Sequence, residues 1–238
     1  MNFSKILLLF VFLLIFIRPV VSQTTSKKIL GEFEKGWDNQ WIERNITKKP
    51  TRYRVVQEDT NFVLMVKSDA SASALWRMLN IHSVEVGKIS WLWKVEKILS
   101  KKNEEKTKLG DDYAARLFVV FQPHLISWKT RAICYVWSAK EPEGSIYKNP
   151  YAKHVGMIVI ESGNEYSGKW RKEERDFIAD YQKVFKNAPE MVSAVAIMVD
   201  TDNTSQNATA WFDDIILQWK EPELESEASK GSGIKMQF

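Results

Sequence analysis

One ten-residue stretch near the C-terminal end constrains the fold most: Ala208-Thr209-Ala210-Trp211-Phe212-Asp213-Asp214-Ile215-Ile216-Leu217. It reads as a buried strand, yet two adjacent carboxylates sit in its middle. Asp213 alternates with Trp211, Ile215 and Leu217, and Asp214 with Phe212 and Ile216, so both faces are apolar. Whichever carboxylate points inward needs a partner, because burying an unpaired charge costs several kcal/mol. A cation or an Arg is expected opposite at least one of them.

The rest of the chain carries the same β signal. Candidate strands are Ile29–Phe33, Tyr53–Gln57, Phe62–Lys67, Ala74–Leu79, Ile89–Val95, Ala115–Phe121, Arg131–Ser138, Gly156–Glu161, Val192–Val199 and Thr209–Gln218. They are rich in Val, Ile, Phe, Trp and Tyr, and Gly, Asn, Asp and Pro clusters separate most of them. One segment breaks the pattern: within Arg175–Phe185, Phe177, Ile178, Tyr181, Val184 and Phe185 fall on one helical stripe. It reads as a short amphipathic helix laid on a sheet or closing one end, stopped by Asn187-Ala188-Pro189. The expectation is a mainly β chain: an antiparallel two-sheet β-sandwich of jelly-roll, galactose-binding-like type with one short helix.

The chain opens on Lys5, an apolar run from Ile6 to Ile17, and Arg18-Pro19-Val20-Val21-Ser22. Twelve apolar residues fall short of the roughly 20 that span a bilayer, and the arrangement is that of a secretory signal peptide over residues 1–22. Residues 23–28 read as a leader, 29–219 as a single domain, and the Glu-, Ser- and Gly-rich 220–238 as a disordered tail. The expected location is exported, periplasmic or secreted, with no membrane span after cleavage. Losing Lys5 and Arg18 lowers the formal charge from +4 to +2. That near-balance argues against nucleic acid as a partner. Cys134, the single cysteine, has no internal disulfide partner and reads as a small buried residue. Ser100–Leu109, rich in Lys and Glu, reads as a solvated loop.

Several chemistries are excluded by motif. There is no phosphate-binding glycine loop, no paired-Cys zinc pattern, no His-Glu-x-x-His and no Gly-x-Ser-x-Gly. His82, His124 and His154 are widely separated. Acidic groups stand out instead: Glu32 and Glu34, Asp111-Asp112 followed by Arg116, Asp200 and Asp202 after a very apolar strand, and Asp213-Asp214. Oxygens at strand ends suit calcium, which takes six to eight hard ligands. The bland readings are an Asx-capped turn at Asp200–Thr204 and an Asp–Arg ion pair at Asp111-Asp112. Ten Trp residues are the second anomaly. Trp91, Trp93 and Trp211 sit in strand patterns and read as core, whereas Trp128, Trp137 and Trp170 lie near strand ends or loops and are candidates for a ligand platform.

Asp111–Val119, Arg131–Ser138, Arg175-Asp176, Asp180-Tyr181, Phe185, Asp200–Thr204 and Asp213-Asp214-Ile215 occur in an order that resembles the bacterial exported family catalogued as domain of unknown function 3047. The resemblance spans about Phe33 to Leu217 and implies an envelope or secreted protein, with no established activity. The two ends, Phe33-Glu34-Lys35-Gly36-Trp37 and Phe212-Asp213-Asp214-Ile215, are also similar to galactose-binding-like carbohydrate-binding modules. That second likeness implies a structural calcium ion held by Glu34 and Asp213 or Asp214. The functional expectation is a β-sandwich binding module for a saccharide or envelope glycan, with Trp128, Trp137, Trp170, Asp111, Asp112 and Arg116 as ligand-binding candidates. Two alternatives stand beside it. One is a polysaccharide-acting enzyme drawing paired carboxylates from Asp111, Asp112, Asp200 and Asp202. The other is a structural envelope protein working through protein contacts.

Overall fold

A computed structural model describes residues 25–37, 39–82, 84, 86–121 and 130–220. The expected signal peptide at 1–22, Trp128 and all but Lys220 of the expected 220–238 tail lie outside the described residues.

The alternating apolar pattern folds into two packed sheets. The strands are β1 (Ser26–Gly31), β2 (Trp41–Asn45), β3 (Arg52–Glu58), β4 (Asn61–Asp69), β5 (Ala72–His82), β6 (Val86–Val95) and β7 (Tyr113–Phe121). They continue with β8 (Arg131–Ser138), β9 (Ile146–Lys148), β10 (Val155–Ser162), β11 (Arg171–Asp176), β12 (Met191–Asp200) and β13 (Asn207–Lys220). One sheet runs β11-β6-β13-β4-β3, with β1 against the second half of β13; the other runs β2-β5-β12-β7-β8-β10-β9. Every pairing is antiparallel except β8 with β10, which is parallel. Inner faces interdigitate through residues such as Leu64, Val66, Trp91, Trp93, Leu117, Val119, Tyr135 and Ile197, all at most 1% exposed. No helix among the described residues is long and apolar enough to cross a membrane.

The helical stripe forms α1 (Phe177–Phe185). Asp176 caps it by accepting from the Ala179 backbone N–H at 2.9 Å, and Lys186 ends it in the left-handed region, one residue before the Asn-Ala-Pro stop. Phe177, Ile178 and Tyr181 enter the common core, and α1 touches both β6 and β8. The helix therefore closes one end of the sandwich. Two glycines make room for it: a Cβ on Gly87 would collide with the Phe177 ring, and one on Gly156 would lie 2.5 Å from Val184.

Three strands carry no apolar alternation and are invisible in the sequence. Trp41–Asn45 and Arg171–Asp176 lie at sheet edges, where charge protects against edge-to-edge pairing, and Ile146–Lys148 is a three-residue edge. The Ser100–Leu109 segment also departs from expectation. Lys101 and Glu105 are buried and paired at 2.7 Å, and Glu105 further accepts from Ser138 Oγ and the Ala139 backbone N–H. Inside this irregular segment the two opposite charges satisfy each other.

Candidate functional site

β7 and β12 are antiparallel neighbours, with Tyr113 opposite Asp200 and Arg116 opposite Met198. The start of one strand therefore meets the end of the other. This register brings Asp111 and Asp112, just before β7, to Asp200 and the turn that follows β12. Alternation along β7 then sends Leu117, Val119 and Phe121 into the core and Arg116 and Phe118 to the outer face.

Arg116 is the hub. Its Nε donates to Asp200 Oδ1 at 2.8 Å, and its Nη2 to Asp200 Oδ2 and to the Asp111 carbonyl. Asp200 Oδ1 also accepts the Tyr113 backbone N–H at 3.2 Å. Asp112 closes the following turn: Oδ1 accepts from Asn203 Nδ2 at 3.0 Å, and Oδ2 from the Thr204 backbone N–H at 2.6 Å. Asn149 Nδ2 donates to Asp111 Oδ2 at 2.8 Å, while Asp111 Oδ1 is buried without a hydrogen bond, 3.5 Å from Arg116 Nη2. Tyr151, 56% exposed, donates its hydroxyl to Asn203 Oδ1 at 2.8 Å. Behind the turn, Thr201 Oγ1 lies 2.7 Å from Ser68 Oγ on β4, tying the site to the opposite sheet.

Four carboxylates gather here, and one guanidinium pairs with two of them, Asp111 and Asp200. Oxygens of Asp112, Asp200 and Asp202 lie within 4.8 Å of one another, the group among the described residues with the spacing to hold a metal ion. Burial pushes the Asp200 carboxyl up, opposed by Arg116 and reinforced by Asp112 and Asp111. Asp111 is raised first by burial, and Asp202 by burial and then by Asp112. Beside this acidic knot opens a cleft of about 380 Å³. Phe118, Met198, Val155, Ala72, Ile46 and Tyr151 supply its apolar surface, and Asp111, Arg116, Asn149, Asp200, Asp202 and Asn203 its polar groups.

The structure thus gathers Asp111, Asp112, Arg116, Asp200 and Asp202 into one place, from segments over 80 positions apart. It separates the Trp candidates from them. Trp137 is no platform: it is 1% exposed on the inner face, where its indole N–H bonds the Gly163 carbonyl and its ring packs against Trp93. Trp170 is half-buried just before β11, against the other sheet, donating to Glu58 and facing Lys94 at 5.0 Å. Trp211, read as core, is also half-buried, with Lys94 Nζ 4.4 Å from its ring. An all-apolar strand hides which face a residue takes. The sequence reading missed Phe118 and Met198 for that reason, and Asn149 and Tyr151 because they sit in an unremarkable turn.

The Asp213-Asp214 pair resolves differently. Asp214 adopts φ +47° at a bulge in β13 and is exposed, so only Asp213 turns inward. Its partner is an amide, not an Arg: Asn61 Nδ2 donates to Oδ2 at 2.7 Å, while Oδ1 is buried without a hydrogen bond. Burial pushes this carboxyl up to about 6, and the charges of Asp214 and Glu34 add to the rise. Glu34, the expected calcium partner, is close enough for its charge to be felt at Asp213, and the effect is a repulsion between like charges.

A two-sheet β-sandwich with an acid-rimmed cleft on one outer face is the class that fold and site define. The sequence matches, over residues 35–216, the family described as protein of unknown function DUF3047, and the chain belongs to that family. A comparison with curated proteins finds no match. Among solved structures, the chain is similar to the family 11 carbohydrate-binding module of the cellulosomal cellulase Lic26A-Cel5E of Clostridium thermocellum. That pair is 11% identical, with a TM-score of 0.41, covering 85% of this chain and 98% of the other. It is also similar to the K3 cleaved adhesin domain of Lys-gingipain from Porphyromonas gingivalis W83, at 12% identity, TM-score 0.44, 81% of this chain and 99% of that one.

Proposed function

We propose that the protein is an exported module that binds a saccharide in the cleft beside Arg116. One observation carries the reading: an apolar surface formed by Phe118, Met198, Val155 and Tyr151 meets a polar wall of Asp202, Asn203, Asn149 and Arg116 in a single cleft. A sugar ring has apolar C–H faces and a rim of hydroxyls. It fits a site whose walls are aromatic on one side and rich in paired donors and acceptors on the other. The Arg116–Asp200 fork and the Asp112-capped turn fix that wall in advance, which lowers the ordering cost of binding. The apolar Ile6–Ile17 run and its small-residue flank support the export part of the reading.

A glycan array followed by calorimetry tests the proposal. Binding that Tyr151→Ala weakens by about tenfold, or 1.4 kcal/mol, supports it; no binding to any saccharide overturns it. A second reading draws on the convergence of Asp111 and Asp202 in the cleft, where both carboxyls are raised by burial. Such a pair could serve a polysaccharide-cleaving enzyme as acid and base. Release of reducing ends from a bound glycan, lost in Asp202→Asn, would select this reading over a pure binding role.

A further inference from the structure

The six-stranded sheet carries a hollow of its own on its outer face, opposite in charge to the acidic knot. Alternation along β3, β4 and β13 sends Tyr53, Val66, Ala208 and Ala210 toward the core, so Arg52, Lys67 and Thr209 face outward. These three stand in one row: Arg52 lies opposite Lys67, and Lys67 opposite Thr209. Two residues along the same face, Asn207 lies opposite Asp69. With Lys49 and Lys97 they line a hollow of about 260 Å³.

The charges in this hollow do not cancel. Lys49 pairs with Asp69, whereas Arg52, Lys67 and Lys97 have no ion-pair partner among the described residues, against one unpaired carboxylate, Glu96. The Lys49 hydrogen bond lowers the Asp69 carboxyl, and the charges of Lys49, Arg52 and Lys67 lower it further, the mark of a positive field. The floor is polar and unsatisfied. Thr209 is only 7% exposed, yet its hydroxyl has no hydrogen-bond partner among the described residues, and neither has the exposed Asn207 side chain.

We infer that this hollow binds an acidic glycan, a sugar chain bearing carboxylate or sulfate groups, at a site separate from the cleft. No residue lines both cavities, so the inference does not rest on the cleft reading. Arg52 offers a planar fork that matches a carboxylate or sulfate, and Lys67 stands beside it, one strand spacing of about 4.8 Å away. Charges spread along a row suit a repeating anion better than a single ion, and Thr209 and Asn207 supply neutral partners for hydroxyls between them. Glu96 tells against a phosphodiester backbone, whose closely spaced charges would meet this carboxylate; a sugar chain presents hydroxyls to it instead.

Calorimetry with hexasaccharides of galacturonate and of heparin, at about 0.02 M and about 0.2 M salt, tests the inference. At least one should bind, more weakly at the higher salt as screening grows, and which one binds tells carboxylate from sulfate. Arg52→Gln/Lys67→Gln should lower affinity at least tenfold with little change in melting temperature, since both side chains are exposed. Thr209→Val, which keeps the shape and removes the hydroxyl, should weaken binding several-fold. Glu96→Gln should strengthen it, a gain that no loss of structure could produce. Failure of both oligomers to bind at low salt, or undiminished affinity in the double variant, overturns the inference and leaves the cleft reading standing. A thymidine hexanucleotide bound as tightly as either glycan overturns the assignment to a sugar chain.

Discussion

Arg116 and Asp200 meet side-on across neighbouring strands, Nε against Oδ1 at 2.8 Å and Nη2 against Oδ2, with both side chains almost fully buried. A planar guanidinium fork matches a carboxylate in this geometry as a lysine cannot. The pair also fixes where β12 ends and where the Asp202–Asn203 turn begins.

Removing the cation should be costly. Arg116→Met leaves Asp200 and Asp111 buried without their ion-pair partner, and breaking such a pair costs about 3–5 kcal/mol. Urea unfolding should show that loss. The double variant Arg116→Met/Asp200→Asn, which discards both charges, should lose less than the single one.

The edge between the sheets should make stability fall with rising pH. Glu173 on β11 accepts from Trp93 Nε1 at 3.3 Å, and Arg171 Nε donates to Glu161 on β10 at 2.6 Å. Burial pushes the Glu173 carboxyl up to about 7, and the neighbouring Glu161 carboxylate adds to the rise. A carboxyl raised above its ordinary 4.5 stabilises the fold most below that value, and the contribution is lost as pH rises through about 7. Glu173→Gln should therefore raise the melting temperature at pH 8 and change it little at pH 4, read by calorimetric scans.

Asp213 gives a parallel test with a metal arm. Its carboxyl sits near 6, above its ordinary 3.8, so ionising it at neutral pH works against the fold. Asp213→Asn should raise the melting temperature at pH 8, equally in calcium and in chelator. A variant that is destabilised only when calcium is present would instead identify Glu34 and Asp213 as ligands of an ion.

The helix end tolerates no bulk beneath it. Gly87→Ala drives a methyl into the Phe177 ring and should cost about 1–3 kcal/mol, the range for overpacking a filled core. Pairing it with Phe177→Leu should recover part of the loss, measured by thermal melts.

How legible all this was from residues alone depended on local contrast. The core strands and α1 announced themselves because Val, Ile, Phe and Trp alternate there or recur at helical spacing. Edge strands such as Arg171–Asp176 did not, since their charges serve exposure and not packing. Asp111, Asp112, Arg116 and Asp200 stood out because charges beside apolar runs demand partners; Arg116 proved to be the partner of Asp111 and Asp200, while Asp112 found the Asn203–Thr204 turn. Trp137 misled because nearness to a strand end says nothing about which way a ring points; its turn inward is set by the parity of β8.

The pairing of β1 with β13 sets how the molecule would answer a pull. Ser26 lies beside Trp219, so a force applied through these two strands enters at one end of their ladder. The hydrogen bonds would then be loaded one after another, as in a zipper, and not all together in shear. A tether attached through both strands would peel β1 away at low force, while the β13 pairings with β4 and β6 continue to hold the sandwich closed.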